Sequence, residues 1–115
     1  MVNSRMYEKM REVARANGMI FYSDLAAGLG MTFETEADRN VLRDDLADIS
    51  IFEHSQGRPM LSAVVVHKPT SSEPRMPGKG FFRLAREQGI WDGKGTKEKF
   101  FFEEIKKVYE YWSAH

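Results

Sequence analysis

The chain has 115 residues, 42% of them hydrophobic and 12% aromatic, enough for one folded core and too apolar for a disordered chain. Its 17 Lys and Arg balance 17 Asp and Glu, so the net charge is zero, whereas a protein that coats DNA nonspecifically is usually basic because phosphate neutralisation supplies most of its affinity. With no cysteine present, disulfides, cysteine–zinc sites and thiol catalysis are excluded.

The N-terminal residues from Met1 to Lys9 carry charges every few positions and hold no apolar run of signal-peptide length. The longest such run, Ala63 to Val66, is too short to cross a bilayer. A single cytoplasmic domain over residues 1–115, with no membrane partner, is the expectation.

In chain order, residues 3 to 17 read as an amphipathic helix, with Met6, Met10, Val13 and Ala14 at helical spacing. Asn17-Gly18 is a stop signal, because both residues accept the left-handed conformation that closes helices. Met19 to Tyr22 reads as a short extended segment. Ser23 has the chemistry of an N-cap, with Asp24 at the positive end of a short helix that stops at Gly30.

Met31 to Glu36 reads as a loop, with Thr35 as the cap of a helix from Ala37 to about Glu53. Leu42, Leu46 and Ile49 form its apolar stripe, supported by Val41 and Phe52, and Gly57-Arg58-Pro59 breaks it. Met60 to His67 is β-branched and short, which predicts a strand. Lys68 to Pro77, rich in Pro, Ser and Thr, predicts a loop tip that Gly78-Lys79-Gly80 continues.

Phe81 to Gln88 suits a helix ended by Gly89, with Phe82 and Ala85, or Phe81 and Leu84, facing inward. Thr96 caps the last helix, in which Phe101, Ile105, Val108 and Trp112 form a buried stripe. This order predicts an α+β, winged-helix-like fold: mostly helical, with a small β-hairpin wing over Met60 to Phe81 and a C-terminal helix.

Tyr22-Ser23-Asp24-Leu25-Ala26 resembles the Thr-Tyr-Gly-Asp-Ile-Ala opening of the winged helix in O6-alkylguanine-DNA alkyltransferases and alkyltransferase-like proteins. Arg39-Asn40-Val41 stands near that family's recognition-helix Ala-Arg-Ala-Val. Pro59-Met60-Leu61-Ser62-Ala63-Val64-Val65 is similar to its Pro-Cys-His-Arg-Val-Val, and Gly78-Lys79-Gly80-Phe81 to its Gly-Gly-Phe. The resemblance covers about residues 20 to 82 and implies a DNA-binding winged helix. The family's nucleophilic cysteine is replaced by Met60 or Leu61, so thiolate alkyl transfer is ruled out. The chain also resembles uncharacterised small bacterial proteins with a Gly-Arg-Pro-Leu-Leu-Ser-Ala-Val-Val-Val segment before a Gly-Gly-Phe-Phe turn, a likeness that implies no function.

Three groups of residues could carry chemistry. The predicted recognition helix bears Arg39 and Arg43 against six acids, Glu36, Asp38, Asp44, Asp45, Asp48 and Glu53. It offers either two base-reading arginines or a solvated acidic face. Between 68 and 99, Lys68, Arg75, Lys79, Arg83, Arg86, Lys94, Lys97 and Lys99 face Glu73, Glu87, Asp92 and Glu98, a local charge of +4. With the glycine amides at 78 and 80 this segment could hold phosphates, or it is an ordinary charged surface. Glu53, His54 and Arg58 hold acid–base groups, yet at a spacing that fits helix-end pairing better than catalysis.

His54, His67 and His115 form no ligand set, and Gly78 and Gly80 lack the remainder of a phosphate-loop motif, so no metal or cofactor is expected. The expected function is a non-catalytic winged-helix domain binding double-stranded DNA weakly or within a complex, through Arg39, Arg43, Arg58, Lys68, Lys79 and Arg83. The alternative is a protein-interaction module, an antitoxin-like regulator or defence-associated adaptor. It would bind a protein partner or a second copy through Phe100, Tyr111 and Trp112, with no nucleic acid.

Overall fold

The computed structural model describes residues 2–72 and 74–115. Five α-helices account for most of it: α1 Ser4–Arg15, α2 Tyr22–Gly28, α3 Glu36–Ser55, α4 Lys79–Glu87 and α5 Lys97–Ser113. Two strands of two residues, β1 Ile20–Phe21 and β2 Val65–Val66, pair in parallel, Ile20 opposite Val65 and Phe21 opposite Val66. The fold is thus α+β and predominantly helical. No helix among the described residues is long and apolar enough to cross a membrane.

The helix ends follow from local chemistry. Asn3 opens α1 by accepting the Met6 amide, and Thr96 opens α5 by accepting that of Lys99. Thr35 and Asp38 form a reciprocal capping box at the start of α3. At α2 the cap is Phe21, which has no side-chain bond to offer, and Ser23 lies inside the first turn. The expectation of a Ser23 cap is therefore corrected by two residues: Tyr22 and Ser23 already belong to the helix.

Four helices stop in the same way. After α1, α2, α3 and α4 come Asn17, Gly30, Gly57 and Gly89, all at positive φ. In each case the next amide reaches back five residues, as Arg58 N does to Glu53 O at 2.9 Å. This is the paired-bond stop that a left-handed residue makes possible.

The expected strand over Met60 to His67 is corrected. Leu61–Val64 is a 3-10 turn, and only Val65 and Val66 are extended. Every residue from Met60 to Val66 is buried, and a buried run of apolar residues has no periodicity by which to tell strand from turn. Glu104 of α5 accepts the Met60 amide at 2.9 Å, and Ser62 and Ser50 share a buried hydroxyl bond of 2.6 Å. The turn becomes the hub against which α1, α3 and α5 all pack.

The β-hairpin wing is corrected with it. No antiparallel ladder forms among the described residues, because β2 pairs with β1 instead. A single backbone bond, His67 N to Met76 O at 2.9 Å, closes the loop before α4 begins.

Met6, Met10, Ala14, Leu42, Leu46 and Ile49 bury as predicted, as do Phe101, Ile105, Val108 and Trp112 of α5. On α4, Phe81, Phe82 and Ala85 are all buried. Val41 and Phe52, expected to support the α3 stripe, are instead 52% and 38% exposed.

Candidate nucleic-acid interface

The basic residues divide into two populations. Those on α3 and at its end are already answered within the chain. Arg39 lies 3.8 Å from Glu36 and donates to the carbonyls of Phe33 and Glu34. Arg43 donates to Glu36 at 3.3 Å and to Asn40 at 3.1 Å. Both α3 arginines thus converge on one glutamate, and the side of the helix that follows is acidic.

Arg58 is engaged further still. Its guanidinium grips both oxygens of Glu53, Nη2 to Oε1 at 2.9 Å and Nε to Oε2 at 3.2 Å. Glu53 is fully buried, and its Oε1 also accepts the Tyr7 hydroxyl at 2.5 Å. Burial first, and then the bond to Glu53, push the Tyr7 phenol up to about 12. The Glu53 hydrogen bond raises Arg58 above the usual guanidinium range.

This triad ties α1 to the end of α3. It leaves Glu53 no approach for a substrate, while His54 is exposed and shares no hydrogen bond with it. The geometry is that of a structural ion pair held by three hydrogen bonds, with no free base. Among the described residues no group of three or more potential ligands is placed to hold a metal.

The second population is free. Lys68, Arg75, Lys79, Arg83, Arg86, Lys94, Lys97 and Lys99 are all exposed, and none forms an ion pair with a described residue. Glu73, one of the acids set against them in the sequence, lies outside the described residues.

Helix α4 organises this population. With Phe81, Phe82 and Ala85 buried, the helical repeat places Lys79, Arg83 and Arg86 together on the opposite, outward face. Phe82 packs on Trp91, and Trp91 stacks on Phe100 at 5.2 Å and 17°. That aromatic seam pins the 91–97 turn beside α4. Lys97 reaches back to 5.4 Å from the Phe82 ring, and Gly93 makes room for Arg86, since a Cβ there would stand 2.9 Å from its Nε.

At the other end of α4 the glycines do less than their sequence suggests. The Gly78 amide is bonded to the Tyr22 hydroxyl at 2.7 Å, so it is not free to hold a phosphate. His67 lies against the same Tyr22 ring at 4.7 Å. Burial raises the Tyr22 phenol above its ordinary value. Lys68 sits 5.8 Å over the Phe21 ring.

The aromatic residues expected at an interface are distributed differently. Phe100 and Trp112 are 8% and 5% exposed, packed within this chain. Tyr111 is half-buried, stacked on His115 at 4.0 Å. On α5 the large apolar residue left outside is Phe102, 61% exposed.

Sequence reasoning did not find the Tyr7 contact with Glu53 or the Glu104 contact with Met60. Partners 46 and 44 residues apart leave no local signal. The chain matches no protein family, no curated protein and no solved structure.

Proposed function

We propose that the chain is a non-catalytic nucleic-acid-binding domain, winged-helix-like in the order of its elements, that contacts the phosphate backbone with α4 and the 91–97 turn. One observation carries this reading: the cations of α4, Lys79, Arg83 and Arg86, share one outward face and have no counter-ion among the described residues, with Lys97 beside them. Unpaired cations on one rigid face suit a ligand whose charges repeat along a chain.

The reading moves the contact surface away from α3. Arg58 is neutralised by buried Glu53, while Arg39 and Arg43 share Glu36, so a phosphate would have to compete with contacts they already make. Lys68, Lys79 and Arg83 remain available. With few contacts and zero net charge, the affinity belongs to the nonspecific class, about 10⁻⁴–10⁻⁶ M at physiological salt.

The test is fluorescence anisotropy with labelled duplex and single-stranded DNA over a salt series. The triple variant Lys79→Glu/Arg83→Glu/Arg86→Glu should abolish binding, while Arg39→Glu/Arg43→Glu should leave it largely intact at about 0.1–0.15 M salt, where long-range charge is screened. Neutral replacement of the three α4 cations should flatten the log-affinity against log-salt slope by about 2.7, at roughly 0.9 per lost duplex contact. Binding that survives the triple reversal would rule out this surface.

A further inference from the structure

We infer that the outward face of α3 is a docking surface for a lysine- or arginine-rich amphipathic segment of a protein partner. Five large apolar side chains are exposed among the described residues, and three of them lie on this one helix: Val41 at 52%, Ile51 at 43% and Phe52 at 38%. Ile51 and Phe52 line an open groove of about 600 Å³ whose other walls include Val2, Tyr7 and Asp48. A cluster of this kind on one element marks an interaction site, where singly scattered apolar residues would not.

The charge on the same face selects the occupant. Val41, Asp44, Asp48 and Phe52 follow one another at helical spacing. Asp44 and Asp48 are exposed, with no ion pair or side-chain hydrogen bond to any described residue. The cations nearest the groove are Arg11, 4.4 Å from the Tyr7 ring, and Arg58, 5.4 Å from the Phe52 ring, and each is paired, Arg11 with Glu8 and Arg58 with Glu53. Apolar anchors alternating with unanswered carboxylates complement an amphipathic helix with apolar residues along one edge and lysine or arginine beside them.

Other occupants fit less well. Nucleic acid and anionic membranes are repelled by the aspartates. A second copy of this chain could bring the cations of α4, but the apolar side of that helix, Phe81, Phe82 and Ala85, is buried in its own core. Outside α4 it could offer Phe102 of α5, but that is a single anchor with Glu98 and Glu103 beside it as well as Lys99 and Lys106. The surface therefore commits to a different protein.

The probe is a fluorescein-labelled synthetic helix of leucine and lysine in amphipathic pattern, titrated with the full chain at low salt, with a leucine–glutamate peptide as control. The lysine peptide should bind and the glutamate peptide should not. Asp44→Lys/Asp48→Lys and, separately, Ile51→Ser should each weaken binding roughly tenfold or more, with unchanged circular dichroism. Val41→Ser, at the most exposed of the three apolar positions, repeats the apolar test if Ile51→Ser perturbs the fold.

The variant Lys79→Glu/Arg83→Glu/Arg86→Glu should bind the peptide at least as tightly as the parent, since its added acids attract a cationic peptide, which separates this surface from the nucleic-acid face. The inference is overturned if the lysine peptide fails to bind or if the charge variant binds it unchanged. It is equally overturned if removal of the apolar anchors has no effect. A dimer in sedimentation that Ile51→Ser dissociates would also overturn it, by assigning the face to a second copy.

Discussion

A carboxylate with no solvent exposure has to be answered atom by atom, and Glu53 is answered by Tyr7 and Arg58. Removing either partner gives different costs. Arg58→Met leaves a buried charge without its counter-ion and should destabilise the chain by about 3–5 kcal/mol. Tyr7→Phe removes one hydrogen bond and leaves the ion pair, at about 1–3 kcal/mol. Denaturant midpoints of the two variants check the order. The same triad makes an alkaline prediction. The folded Tyr7 phenol lies near 12 against 10.0 for the free side chain, so the folded state holds its proton more tightly than the unfolded chain does. That contribution is complete below pH about 10 and is lost as pH rises toward 12. Tyrosinate absorbance followed together with circular dichroism should show stability falling across that window, and less steeply in Tyr7→Phe. Half of this site was legible in the sequence: Glu53 and Arg58 flank a glycine stop, a local relation. Tyr7 was not, because only the packing of α1 on α3 brings it within reach.

At the scale of elements, what the sequence made legible was whatever is decided within one turn. Thr35 and Thr96 cap where their hydroxyls can reach a free amide, and Asn17, Gly57 and Gly89 stop helices where a positive φ is needed. Gly57 has the widest consequence, since its turn delivers Arg58 to Glu53. Gly57→Ala forces a Cβ into the left-handed region and should cost about 1–2 kcal/mol. Its neighbourhood has open space, so the loss would be conformational and not steric. The midpoint shift of Gly57→Ala measures it, and Gly57→Asn, which tolerates that conformation better, should recover part of it. What escaped the sequence were choices made by tertiary contact. Met60 to Val66 reads as a strand by composition, yet Glu104 holds the Met60 amide and Ser50 holds Ser62, and the backbone between them coils into a 3-10 turn. Val41 and Phe52 fit the apolar stripe of α3 by type. They stay outside because the helical repeat turns them about a quarter turn away from Leu42, Leu46 and Ile49, onto the face of Asp44 and Asp48.

Across the whole molecule the zero net charge conceals a separation: the segment from 68 to 99 carries +4 and the remainder carries −4. The molecule measures 34 × 33 × 26 Å, comparable with the screening length of about 30 Å at 0.01 M salt and several times the length of about 10 Å at 0.1 M. An anionic ligand approaching α4 therefore feels the aspartates of α3 at low salt and loses sight of them at higher salt. The variant Asp44→Lys/Asp48→Lys changes the net charge by +4 without touching α4. If α4 is the contact surface, this variant should bind DNA several-fold more tightly at about 0.01 M salt and converge on the parent affinity near 0.1–0.15 M, because only the long-range field has changed. Anisotropy titrations of both proteins at the two salt concentrations make the comparison. A gain that persists at high salt would mean that the new lysines touch the nucleic acid directly and that α3 belongs to the interface. No gain at low salt would mean that the α4 cations act too locally for the molecular field to matter, and that steering contributes nothing to association.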